Sequence, residues 1–203
     1  MSRETAKRTL APYKRRIKFL TVNALTLSRF FLTIRFIELL QKNSRSLAHF
    51  LLIFVAVILS DFCDGRLARR WHVESRAGSV LDVAMDFFFI FATSLALYQK
   101  DIFPIWMIGI IFAKTVEFIL TSRLLKRKSA PSGEGYFVFD WIGRCAAICF
   151  YFLPIIAIGF QFVFGKEKMI VFQIPIFLFV LLAALISSAQ RITLCLNRSF
   201  EIN

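Results

Sequence analysis

Six apolar runs, each longer than twenty residues, divide the chain between charged or turn-rich breaks, near residues 19–41, 47–69, 78–98, 103–125, 136–163 and 170–192. About 20 residues of α-helix cross a bilayer's hydrocarbon core, so each run is long enough to span it. Of 203 residues 58% are hydrophobic and 19% charged, and 25 phenylalanines stand against five prolines and eight glycines. That balance suits long apolar helices and lacks the ten-residue alternation of a membrane β-barrel. The expectation is an all-α integral membrane fold with six transmembrane helices, forming a single domain over residues 1–203 without internal repeats.

The formal charge is +13, from 26 Lys and Arg against 13 Asp and Glu. Oily and basic together, the chain is neither an ordinary soluble domain nor a disordered polybasic tail. Residues 1–18 carry seven of the cations, with Leu10, Tyr13 and Ile17 at spacings of three and four. They are expected to form an amphipathic helix on anionic headgroups ahead of the first span, facing lipid rather than nucleic acid. No small-residue cleavage site follows, which argues against a removed signal peptide.

With six spans both ends share a side, and that side holds seventeen of the cations, Arg191 and Arg198 of the tail among them, against five on the other. By the positive-inside rule it is cytoplasmic, together with the flexible linker Ser129 to Gly135. Cys63, Cys145, Cys149 and Cys195 show no paired spacing and are expected as small buried apolar residues. Homodimerisation is left open.

Ionisable groups within apolar spans are costly, so each calls for a partner, a cavity or a function. Asp61 and Asp64 are three apart near the end of the second run; Asp82 and Asp86 are four apart near the start of the third. The connection between them is short, so the two helices form an antiparallel hairpin that brings four carboxylates to one depth. Four such charges need divalent metal or protons, and oxygen-only ligands favour Mg²⁺, Mn²⁺ or Ca²⁺ over Zn²⁺. Gly65 and Gly78 leave the backbone approachable, and Arg69 offers a planar fork for phosphate. The set reads as a site for phosphate chemistry. The alternative is a solvated surface hairpin whose acids pair with Arg66, Arg70 and Arg76.

Written out, Asp61-Phe-Cys-Asp64-Gly65-Arg-Leu-Ala68-Arg69, then eight residues, then Gly78-Ser-Val-Leu-Asp82-Val-Ala-Met-Asp86 resembles the signature of the CDP-alcohol phosphotransferase family, DxxDGxxAR followed by GxxxDxxxD. Asn23-Ala-Leu-Thr26-Leu-Ser-Arg29 is similar to that family's PNxLTxxR stretch, with Val22 in the place of proline. The resemblance implies transfer of a phosphatidyl group from CDP-diacylglycerol to an alcohol, releasing CMP. By the same carry-over Asp61, Asp64, Asp82 and Asp86 hold two divalent ions, Mg²⁺ or Mn²⁺, with Asp86 also the general base. Asn23, Thr26, Gly65, Ala68, Arg69 and Gly78 would hold the CDP moiety.

Members of the family differ in the alcohol they accept. Lys114, Arg123 and Arg144 are candidates for a basic pocket that takes a phosphorylated acceptor. Equally, Lys114 pairs with Glu117, and Asp140 with Arg144. Glu117-Phe-Ile-Leu-Thr121-Ser-Arg123 and Gly143-Arg144 resemble stretches of phosphatidylglycerophosphate synthases, which makes glycerol 3-phosphate the leading acceptor. Inositol phosphate, inositol, serine or a second lipid are the alternatives. Arg29, Arg35 and Glu38 either line the nucleotide entrance or pair among themselves. A prenyltransferase is disfavoured by the glycine and the Ala-Arg after the first acidic motif. A divalent-cation channel or carrier would spread its acids through the membrane's depth instead of clustering them.

Overall fold

The computed structural model describes residues 3–42, 46–73, 75–128 and 141–200, and side chains within 16–42, 46–73, 75, 77–122, 145–165 and 167–193. Five helices account for nearly all of them: α1 Arg3–Gln41, α2 Leu47–Trp71, α3 Arg76–Tyr98, α4 Ile105–Lys128 and α5 Trp141–Phe200. Six stretches are long and apolar enough to cross a membrane: Arg16–Gln41, Leu47–Trp71, Ala77–Tyr98, Ile105–Ser122, Cys145–Gly165 and Glu167–Thr193. The expected six-span, all-α architecture is therefore present. The outer surface agrees with lipid as solvent, because Phe31, Leu52, Val163, Val171 and Phe179 all stand well exposed.

The last two spans lie in one helix interrupted at Gly165, whose φ of 72° and ψ of 171° belong to a region that side-chain-bearing residues rarely adopt. The chain folds back there. Gln173 Nε2 donates to the Ala157 carbonyl at 3.2 Å, although sixteen residues of straight helix would separate them by about 24 Å. Phe164 and Phe172 stack across the same bend with ring centroids 4.0 Å apart.

Two expectations need correction. The basic N-terminal segment does not form a separate interfacial helix: α1 runs unbroken from Arg3 into the first span. Residues 13–22 contain neither glycine nor proline to stop it, and of the amphipathic face assigned to residues 1–18 the side chains of residues 1–15 lie outside the described ones. The cysteines are not core residues either, since Cys63 and Cys145 are exposed and Cys149 is half-buried. A thiol is apolar enough for a lipid-facing surface, so hydrophobicity alone does not send it inward. Cys195 lies outside the described side chains.

α1 packs mainly against α2 and α3, while α4 packs against α5 and α3. Aromatic rings fill the centre below the acidic motifs. Phe36 meets Phe50 and Phe89 edge-on, and Phe54 and Phe89 both pack against Tyr151 of the fifth span. Such contacts lock the tilt of three helices against a fourth, and the tilt sets how closely the ends of α2 and α3 converge.

Candidate metal and phosphate site

The hairpin between α2 and α3 is built by its caps. α2 ends at His72 in the left-handed region (φ 51°, ψ 43°), and the following Val73 N–H returns to the Ala68 carbonyl at 3.1 Å. α3 begins at Ser75, whose hydroxyl accepts from the Gly78 N–H at 2.9 Å. The turn is thus only four residues long, and the last turns of α2 lie beside the first turns of α3.

All four aspartates converge as the sequence predicts, and the group at their centre comes from α1. Arg29, fully buried, places Nη1 on Asp61 at 3.1 Å and on Asp86, and Nη2 on Asp64 at 2.6 Å and on Asp82. Each nitrogen therefore bridges one carboxylate of α2 and one of α3. The Arg29 Nε has no partner among the described residues. Side-chain exposure divides the acids: Asp64 is 3% exposed, while Asp61, Asp82 and Asp86 are 45%, 40% and 35% exposed and form an open lip.

This corrects the reading of Arg29. It neither lines an outer entrance nor pairs with its helix neighbours, because Arg35 takes Glu38 at 2.8 Å on the exposed face. The 3.6-residue period turns Arg29 to the face shared by Asn23 and Thr26, against α2 and α3. Among the described side chains the acids do not pair with Arg66 or Arg70, and Arg66 rests over the Phe62 ring; the Arg76 side chain lies outside them.

Thr26 is buried and donates its hydroxyl to Asp64 at 2.7 Å, so it orients a carboxylate. Asn23 and Gly78 come together: a Cβ at position 78 would meet Asn23 Oδ1 at 3.6 Å and Ser75 Oγ at 3.1 Å. Gly65 lies against Arg69, whose guanidinium nitrogens would be 3.6 and 3.7 Å from a Cβ there. Ala68 is half-buried on the same turn. Carboxylate oxygens of Asp61, Asp64 and Asp82 lie within 4.8 Å of one another, close enough to share a divalent cation, and the set is purely hard oxygen.

Of the proposed acceptor cations, Lys114 is the one whose side chain is described. Lys114 donates to Glu117 (3.2 Å) and to Ser188 of the sixth span (2.8 Å), and Ser188 donates to Glu117 at 2.5 Å. The side chains of Arg123 and Arg144, and all of Asp140, lie outside the described residues. Two polar groups escaped the sequence reading. Arg191, counted there with the cytoplasmic tail, is buried against α4, donating to Thr121 Oγ1 at 2.7 Å and lying over the Phe118 ring. The Tyr151 hydroxyl is buried without a partner among the described residues, and one tyrosine among so many apolar residues gave no signal.

Comparison with known proteins places this geometry. Over 110 residues the chain is 29% identical to a cardiolipin synthase (CMP-forming) of Streptomyces coelicolor, a match covering 54% of this chain and 49% of that protein. It is 31% identical over 93 residues, 46% of this chain, to a CDP-diacylglycerol–glycerol-3-phosphate 3-phosphatidyltransferase of Blochmanniella floridana, covering 48% of it. The Bacillus subtilis protein of that name is 30% identical over 83 residues, 41% of each chain. The chain thus spans about half the length, or less, of the relatives it matches. The sequence profile of CDP-alcohol phosphatidyltransferase covers residues 19–195, nearly the whole membrane domain, and the chain belongs to that family.

Proposed function

We propose that this protein transfers the phosphatidyl group of CDP-diacylglycerol to a hydroxyl of a glycerol-type acceptor and releases CMP. The observation that carries the reading is the convergence of Asp61, Asp64, Asp82 and Asp86 from two antiparallel helices at one depth. Divalent ions held by these carboxylates, Mg²⁺ or Mn²⁺, would neutralise the diphosphate and stabilise the departing CMP. Asp86, on the open lip, accepts the proton of the incoming hydroxyl as its oxygen bonds to the lipid-side phosphorus. The bond from that phosphorus to the CMP oxygen breaks, and its electron pair leaves with CMP. Arg69 beside Gly65 holds the diphosphate, while Asn23 and Gly78, with Ala68, bound the space for the nucleotide. The excess of cations on the side of this hairpin supports a cytoplasmic position for site and termini.

Glycerol 3-phosphate is the leading acceptor, bound by Arg123 and Arg144, while Lys114 is held by Glu117 and Ser188. A lipid carrying a free glycerol hydroxyl is the second reading, favoured by the engagement of Lys114 with Glu117 and Ser188. The test is CMP release by purified protein with Mg²⁺ and CDP-diacylglycerol, offering glycerol 3-phosphate, phosphatidylglycerol, inositol 1-phosphate, inositol and serine one at a time. Release that depends on one of the first two supports the reading and chooses between them. Release only with another alcohol replaces the acceptor, and failure to bind CDP-diacylglycerol at all returns cation transport to the front. Asp86→Asn should lower turnover by about 10²–10⁴-fold without unfolding the protein; retained turnover removes Asp86 as base.

A further inference from the structure

We propose that Arg29 is a resident counter-ion that competes with divalent cations for the four carboxylates, so that metal entry displaces its guanidinium from the cluster. The inference rests on the metal-dependent reading above and concerns the arginine, which that reading leaves without a role.

Geometry makes the two occupants exclusive. The Nη atoms bridge Asp61 to Asp86 and Asp64 to Asp82, between the carboxylates of α2 and those of α3. Oxygens of Asp61, Asp64 and Asp82 lie within 4.8 Å of one another. An ion shared by Asp64 and Asp82 would lie between their oxygens, where Nη2, in contact with both, already lies. A pair of ions about 3.5–4 Å apart would need the whole gap.

Charge points the same way. Were all four aspartates ionised, one arginine would leave three negative charges uncompensated, so it bridges the cluster without being able to neutralise it. Two divalent ions balance the four acids, and a guanidinium kept among them would be a third cation at close range. The seat is also imperfect, since the buried Nε–H has no acceptor among the described residues, a cost that a permanent structural ion pair avoids. Access is provided by Asp61, Asp82 and Asp86, which are open enough to capture an ion before the arginine leaves.

The experiment titrates Mn²⁺ into the full chain in detergent micelles after chelator treatment, reading bound ion by electron paramagnetic resonance and following thermal unfolding with and without Mn²⁺. Arg29→Met should bind Mn²⁺ at least tenfold more tightly than wild type. Its melting temperature should be lowered in the metal-free state and restored to near wild type by Mn²⁺. Equal or weaker Mn²⁺ binding by the folded variant overturns the proposal, as does a loss of stability that Mn²⁺ does not repair. Should Arg29→Met not fold without metal, Arg29→Lys, with a shorter single-point cation, should lie between the two. Independently, a wild-type structure with Mn²⁺ bound should find the guanidinium out of reach of Asp82 and Asp86; a guanidinium still bridging them beside the ion refutes displacement. Absence of Mn²⁺ binding in wild type and variant alike defeats the metal reading and this proposal with it. Binding unaffected by the substitution defeats the proposal alone.

Discussion

Thr26 decides between two uses of one hydroxyl. The family resemblance assigns it to the nucleotide, whereas the structure places it on Asp64. A hydroxyl has one proton, and the 2.7 Å contact to the carboxylate is shorter than the 3.2 Å contact to the Val22 carbonyl, so the carboxylate takes it. Asp64 is the most buried of the four acids and accepts from Thr26 and Arg29. If metal displaces Arg29, Thr26 becomes the contact that fixes the Asp64 rotamer. Thr26→Val keeps shape and volume at a buried position while removing the donor. A hydrogen bond to a charged group contributes about 1.5–3 kcal/mol, and losing a group that orients a ligand weakens metal binding about 10–100-fold. The two estimates agree, since tenfold in affinity is about 1.4 kcal/mol. Mn²⁺ affinity should therefore fall within that range in Thr26→Val and recover in Thr26→Ser. Unchanged Mn²⁺ affinity, with a raised KM for CDP-diacylglycerol, would show that the hydroxyl belongs to the nucleotide.

The fold offers further tests by thermal unfolding in micelles. Gly165→Ala should destabilise by about 1–3 kcal/mol through backbone strain alone, because a Cβ there meets nothing within 4 Å. Gly159→Ala, mid-helix and equally unobstructed, should stabilise by about 0.5–1 kcal/mol, and the same sign at both would refute the bend. His72→Gly relieves a left-handed residue at the end of α2 and should add up to about 1 kcal/mol; a loss would mean that the imidazole contributes more than the strain costs. Tyr151→Phe removes a buried hydroxyl without a described partner and should add about 1 kcal/mol, whereas lower stability would reveal a partner for it.

The spans were legible because each is a length of apolar sequence, and hydrocarbon admits few other structures. The four aspartates were legible because their spacings and the short connection require convergence. Arg29 was harder. The spacing of three through Asn23, Thr26 and Arg29 places them on one face, but nothing in α1 says that this face meets α2 and α3. Arg191 left a signal that went unread: Met169, Gln173, Phe177, Val180, Ala184, Ser187 and Arg191 are all buried, at steps of four, four, three, four, three and four. That stripe is a packed helix face running through the residue that charge counting sent to the tail. In lipid the outward faces are apolar as well, so hydrophobicity does not mark the inside. A polar residue continuing the period does.

The charged residues inside the spans fall into two kinds, separated by balance. On α4, Lys114 and Glu117 are one cation and one anion, tied to each other and to Ser188 across to the sixth span. Such an arrangement satisfies itself, and removing one member leaves the other exposed to the full cost of burial. The hairpin cluster is of the other kind, with four acids, one arginine and a residue of negative charge that no described side chain offsets. Relief of that repulsion takes protons or cations from outside, and the three half-exposed carboxylates are open to either. The surplus of acids over their internal partners, more than the presence of ionisable groups at membrane depth, is what distinguishes this cluster from the balanced pair on α4.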